Sequence, residues 1–196
     1  MRAALTGCLA GLLCICALPG RAAEVVSLDV QRSGGRLQVR SEMLIDAPQP
    51  LVFAALSDYE RFAELSSRYR ESRFAEPAAD GTPRVYTRME GCVLFYCQSI
   101  SRHARLYTDS PHTIRAEVEP EQSDFDYGLE NWQLATVATP AGQRTQVLYT
   151  HEFDPRFWVP PVLGVWAIKR ALEKDALKAA TRIERLALSE PRQSAT

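Results

Sequence analysis

Residues 43–65 read MLIDAPQPLVFAALSDYERFAEL, and the apolar pattern changes period in the middle of them. Just upstream, in RLQVRSEMLI (36–45), Leu37, Val39, Met43 and Ile45 fall on one side and Gln38, Arg40 and Glu42 on the other. That alternation predicts a half-buried strand. Asp46-Ala47-Pro48 stops it, and Pro48 or Pro50 suits the first turn of a helix. Leu51, Val52, Ala55, Leu56, Tyr59 and Phe62 then recur at helical spacing, with Ser57-Asp58 placed to end one short helix and cap a second.

Downstream the chain becomes a meander. RYRESRFAEP, PRVYTRMEG, CQSISRHARLYT, TIRAEVEP, DYGLENWQLATVAT and RTQVLYTHEF are separated by Ala79-Asp80-Gly81, by Asp109-Ser110-Pro111 and by Pro140-Ala141-Gly142-Gln143. Short strands with turn signals every 8–12 residues or so predict one antiparallel sheet. The end differs. From Pro161 to about Leu188 the sequence predicts one long helix, with Trp166, Leu172, Ala176, Ala179, Ile183 and Leu186 or Ala187 as an apolar stripe and Lys169, Arg170, Glu173, Lys174, Lys178 and Arg185 on the wet side. About 28 residues at ~1.5 Å each span ~42 Å, enough to cross the sheet.

The order strand, two short helices, six strands, long terminal helix resembles the START-like (SRPBCC) superfamily, which includes the polyketide cyclase/dehydrase and coenzyme-Q-binding START-like families. Met43–Leu65 carries the likeness, with the pairing of TQVLYTHEFDP and the C-terminal helix. The resemblance implies an α+β, helix-grip (Bet v 1-like) fold over residues 37–188: a curved antiparallel sheet of about seven strands gripping the terminal helix around an apolar cavity. It implies a lipid-like or polycyclic ligand and supplies no catalytic residue.

The first 23 residues have the plan of a secretory signal peptide: Arg2, an apolar run from Ala3 to Leu18, then Pro19-Gly20 and small residues at Ala22 and Ala23. The run is about 16 residues, short of the ~20 a spanning helix needs. Leu5–Cys8 (LTGC) lies too early in that run for a lipoprotein signal. A periplasmic or secreted location is therefore expected, with residues 24–36 as a leader strand or arm and 189–196 as a disordered tail. Of five cysteines only Cys92 and Cys97 survive processing, and two cysteines in an exported chain are expected to pair. Five residues apart on one straight strand they stand roughly 16 Å apart, so a bond requires the chain to reverse, with Val93–Tyr96 as a four-residue loop. The alternative is a continuous strand carrying two separate thiols.

The parity of a meander puts the loops at 92–96, 120–125 and 154–160 at one end of the sheet and the polar turns at the other. Two of those three loops are apolar and aromatic. Each of Leu94, Phe95, Phe157 and Trp158 forgoes about 1.5–3 kcal/mol if left wet. They are expected either to rim a cavity, with a transient membrane contact through 92–97 and 155–164, or to plug the core. Met89, Leu94, Phe95, Trp132, Leu134, Tyr149, Phe157, Trp158 and Trp166 are the expected lining and rim.

With 23 basic and 24 acidic residues and no basic block, nucleic acid is not an expected partner. The three histidines, His103, His112 and His151, lack ligand spacing to the cysteines, so no metal site or cofactor is expected. The oligomeric state is left open. Catalytic candidates are thin. His151 and Glu152 are strand neighbours facing opposite ways. Asp124, Asp126 and Glu130 offer a carboxylate near Tyr127. Arg102, Asn131 and Tyr149 are placed to orient a polar ligand end. The reading is a non-catalytic carrier of a quinone, isoprenoid, fatty acid or phospholipid. The alternative is a cyclase/dehydratase acting on a polyketide-like substrate. A carrier requires an apolar pocket with few titratable groups. An enzyme requires a buried carboxylate or histidine of shifted pKa.

Overall fold

The computed structural model describes residues 22–93, 96–140, 142–159 and 163–189. The expected leader (apart from Ala22 and Ala23), Leu94, Phe95, Pro161 and the tail beyond Ser189 lie outside the described residues. The chain runs β1 (Glu24–Ser33), β2 (Arg36–Ile45), α1 (Gln49–Ser57), a 3-10 turn (Phe62–Leu65), β3 (Tyr69–Ala75), β4 (Arg84–Val93), β5 (Tyr96–Ser110), β6 (Thr113–Val118), a second 3-10 turn (Pro120–Gln122), β7 (Phe125–Thr139), β8 (Gly142–Pro155) and α2 (Leu163–Leu188).

One antiparallel sheet has the order β1-β2-β8-β7-β6-β5-β4-β3. Seven of its eight strands are those expected from residue 37 onward. The extra one is β1, which pairs with β2 from Glu24↔Leu44 to Ser33↔Arg36. Residues 24–33 are thus an edge strand rather than a loose arm. Gly34 and Gly35, at φ 57° and 87°, make the turn. Both positions of a tight primed hairpin turn need positive φ, which glycine adopts without a Cβ penalty.

The helix that follows β2 starts as its prolines predict, with Pro48 at the N-cap and Ser57 as its last residue. Val52, Ala55 and Leu56 are buried, as are Phe62 and Leu65 of the 3-10 turn. α2 lies against β1 and β2 near one edge of the sheet and against α1 and the Phe62–Leu65 turn on the other side. Lys169 reaches Asp29 of β1 at 3.5 Å, and Arg68 holds Asp175 at 2.8 Å. These contacts span α2 across the concave face.

The packing is uneven along that face. At the end near α1, Ala180, Ile183, Leu186 and Ala187 of α2 are buried with Met43, Ile45, Ile114, Leu134 and Val147 in one apolar core. Toward the start of α2, Ile168, Leu172 and Ala176 are only half-buried, as are Met89, Tyr149, His151 and Phe153 on the inner face of the sheet. The helix buries its stripe fully at one end and only halfway at the other.

The β4–β5 hairpin is real and tighter than expected. Val93 pairs with Tyr96 and Cys92 with Cys97, so the strands extend one pair beyond the predicted four-residue loop. The two cysteines are direct cross-strand partners. Strand register also confirms the parity argument: the 34–35 turn, the 92–97 hairpin, the 119–124 connection and the exit from β8 share one end.

Candidate functional site

Below the half-buried stretch of α2 the concave face carries a polar cluster that is itself mostly buried. Register puts Val39, His151, Glu130, Ala116 and Leu106 in one row across β2, β8, β7, β6 and β5. The next row holds Ser41, Tyr149, Trp132 and Ile114. Ala116 is the one small residue of the first row, and it is buried. Gly128, one inward step from Glu130, faces Val118 so closely that a Cβ there would come within 2.4 Å of Val118 Cγ2.

Arg102 of β5 reaches across to Glu130, and the two form an ion pair with each side chain 2% exposed. Arg102 Nη1 donates to Glu130 Oε2, Nε to Thr87 Oγ1 at 3.3 Å and Nη2 to the Tyr59 hydroxyl at 3.5 Å. Trp132 Nε1 donates to the other Glu130 oxygen at 2.9 Å. Burial works against the charge on Glu130, but the attraction of Arg102, helped by those hydrogen bonds, outweighs it and holds the carboxyl below its ordinary value. Burial also opposes the charge on Arg102, and Glu130 more than restores it, raising the guanidinium well above its ordinary value.

Three phenols surround the pair. Burial first, and the negative charge of Glu130 second, push Tyr59, Tyr69 and Tyr149 up. Tyr149 tilts over Trp132 with ring centres 4.2 Å apart, and Tyr59 stacks on Phe62 at 4.5 Å. His151 stacks on Phe153 at 4.5 Å. Burial drives its imidazole down to about 4, so it is neutral at neutral pH. Its Nε2 is shielded from solvent and has no hydrogen-bond partner among the described residues.

The sequence-predicted residues divide accordingly. Trp132 and Tyr149 belong to the cluster, and Met89 is half-buried on the same face of β4. Leu134 lies in the sealed core. Phe157 is half-buried beyond β8, and Trp158 is 79% exposed there. Leu94 and Phe95 fall outside the described residues. Trp166 is 62% exposed, so its expected place in the packed stripe of α2 is corrected. With Leu177 and Leu188, three and six turns on, it marks the outward face.

Among the secondary candidates, Arg102, Tyr149 and His151 point inward. Asn131 and Glu152 lie on the outer face beside Gln38, Arg40 and Thr150, where an open polar groove of about 260 Å³ runs. Asp124 accepts from the Ser101 amide at 2.7 Å and Asp126 pairs with Arg156 at 2.7 Å, so both are committed. Glu130 is no loop carboxylate but a central strand residue. Its coupling to Arg102 escapes sequence reading because the partners are 28 residues apart with β6 between their strands. The one signal for it is periodic: Arg102 and Glu130 each occupy an inward position in an otherwise alternating strand.

Comparisons with known proteins agree with this fold. A START superfamily protein from Mycobacterium smegmatis superposes with a TM-score of 0.60 at 16% identity, covering 76% of this chain and 98% of that one. The ZhuI aromatase/cyclase from Streptomyces sp. R1128 gives 0.55 at 16% identity, with 78% and 93% covered. Human STARD10 gives 0.55 at 12% identity, with 82% and 73% covered. No curated protein sequence matches the chain. The family model described as "Polyketide cyclase / dehydrase and lipid transport" matches residues 36–187, and the chain belongs to that family.

Proposed function

We propose that the protein binds or carries a hydrophobic, lipid-like ligand in the hollow between the inner face of the sheet and the first half of α2. The carrying observation is the gradient of burial: Ile183 and Leu186 are sealed, while Ile168, Leu172, Tyr149 and Phe153 on the same interior are half-open. A helix that only closed a core would bury its stripe along its whole length.

A buried carboxylate and a shifted histidine match what the cyclase/dehydratase alternative requires, and with Arg102 and three tyrosines they depart from the pocket of few titratable groups expected of a carrier. Proton transfer works best with a group whose pKa lies near the operating pH. Glu130 is held ionised and neutralised by Arg102, and His151 is held neutral with a value of about 4. Both shifts run away from neutrality, which favours binding over catalysis.

The proposal includes export: a signal peptide cleaved near Ala22 or Ala23 and a periplasmic or secreted location. The apolar run of residues 3–18 supports it, as does the start of β1 at Glu24. It includes a Cys92–Cys97 bond, supported by their direct pairing in register. Opposed residues of an antiparallel pair have Cα atoms about 4.5–5.5 Å apart, within disulfide reach. It also includes a transient membrane contact at the open end, supported by the exposure of Trp158 and Trp166. The test is native mass spectrometry of the exported protein, released gently and followed by lipid extraction. An adduct that extracts as a lipid is expected. Protein that carries none and takes up no fluorescent acyl probe would sink the reading.

A further inference from the structure

We propose that the hollow selects uncharged, oxygen-headed amphiphiles, such as long-chain alcohols and ketones, over carboxylates and phosphates. The inference rests on the ligand-binding reading above and narrows it to one chemical class of head group.

The charges at the base of the hollow are already matched. Three ion pairs border it, Arg102–Glu130 beneath, Arg68–Asp175 beside α2 at 2.8 Å and Lys169–Asp29 at the β1 edge at 3.5 Å. Each cation already faces a carboxylate. Arg102 also spends its Nε on Thr87 and its Nη2 on Tyr59. Arg32, at the rim, is exposed and donates to the carbonyls of Gly35 and Val159. No cation on the inner face of the described residues is left to receive an anion. A carboxylate entering this space gives up its hydration and meets Glu130 rather than a counterion.

What is left over is neutral. His151 Nε2 is buried with no hydrogen-bond partner among the described residues, its ring lies 6.3 Å from that of Tyr149, and burial keeps the Tyr69 and Tyr149 phenols neutral. Phenols donate to a carbonyl or hydroxyl oxygen, and a neutral imidazole nitrogen accepts from a hydroxyl or donates to a carbonyl. Such a head restores the hydrogen bonds it loses to water at no electrostatic cost. Phe153, Leu172 and Ile168 remain to cover the apolar tail.

The test uses four ligands with one tail: dodecanol, 2-dodecanone, dodecanoate and dodecyl phosphate, each titrated into the full exported protein at neutral pH below its micelle concentration. Dodecanol and 2-dodecanone are expected to bind at least about tenfold tighter than either anion. Glu130→Gln keeps the shape and frees the charge of Arg102, so dodecanoate should gain about tenfold while dodecanol stays within a few-fold. Tyr149→Phe should weaken 2-dodecanone and leave dodecanoate unchanged. Equal or tighter binding of the anions to the wild-type protein overturns the inference while leaving lipid binding intact. If none of the four binds, both fall together. Should Glu130→Gln not fold, the wild-type ranking decides alone.

Discussion

Arg102 and Glu130 form an ion pair at the centre of the sheet, each side chain 2% exposed, with no bulk solvent to share the cost of either charge. Removing one partner strands the other. Glu130→Ala is expected to destabilise the fold by about 3–5 kcal/mol, whereas Arg102→Met with Glu130→Leu should lie within about 1–2 kcal/mol of wild type or above it. Urea denaturation of the three proteins checks this. A double variant as unstable as the single would mean the pair is not the dominant partnership of either residue.

Gly128 sets a steric limit beside that pair. Gly128→Ala puts a methyl group 2.4 Å from Val118 Cγ2, and overpacking of this kind costs about 1–3 kcal/mol. Adding Val118→Ala removes the Cγ2 obstacle, although Val118 Cβ at 3.1 Å keeps the fit tight. A partial recovery of Tm in the double variant is the expected result.

His151 gives stability a pH dependence of definite sign. Its folded value of about 4 lies below the ordinary 6.5, so between these values the unfolded chain binds more protons. Stability therefore falls as pH drops through that window, by at most about 1.4 kcal/mol per pH unit. His103, also lowered by burial and by Arg84 and Arg73, adds in the same direction. Glu130, whose folded value is depressed, keeps its contribution until the pH falls through that lower value. His151→Phe should flatten the wild-type slope between pH 6.5 and 4 in denaturation curves. Parallel profiles for the two proteins would remove His151 as the cause.

The burial gradient predicts opposite responses at the two ends of α2. Ile183→Ala, at the sealed end, should cost about 2–5 kcal/mol. Leu172→Ala should cost less, because its side chain is half-exposed already. Leu172→Trp fills the hollow and should abolish uptake of an acyl probe while leaving Tm within a few degrees. Loss of uptake only in proportion to lost stability would deny the hollow its role.

The cysteine pair is tested by labelling. Maleimide applied to the unreduced, denatured protein, produced with its N-terminal residues 1–23 in an export-competent host, should modify neither Cys92 nor Cys97. Closing so small a ring contributes only about 2 kcal/mol, so Cys92→Ser with Cys97→Ser should still fold. Ready labelling of both thiols would mean that the hairpin holds them apart in chemistry as well as in sequence.

The sequence carried the architecture because the architecture is local. Period changes at Asp46-Ala47-Pro48 and at the start of α2 are written in neighbouring residues, and so are the turn signals. Residues 24–36 read as either a leader strand or an arm, although Gly34-Gly35 is a hairpin signal, because Val25 and Val26 break the alternation where the strand bulges. Trp166 was misplaced for a different reason. A stripe counted at 3.6 residues has no origin, and only the buried positions Ala180, Ile183 and Ala187 fix which face is inward. The floor of the site was illegible in detail because Arg102 finds Glu130 across an intervening strand, a relationship that no window of sequence contains.

The position of β2 bears on how the chain comes to be folded at all. β2 sits between β1, its hairpin neighbour, and β8, with Leu37 opposite Phe153. The first hairpin to emerge therefore waits for the last strand before its second edge is covered, and α2, which packs on β1 and β2, comes later still. Loop closure over so long a stretch slows the search for the native state. Until synthesis ends, the early hairpin is an open template for any passing strand, and a chaperone that holds it apart during that interval has a physical task to perform.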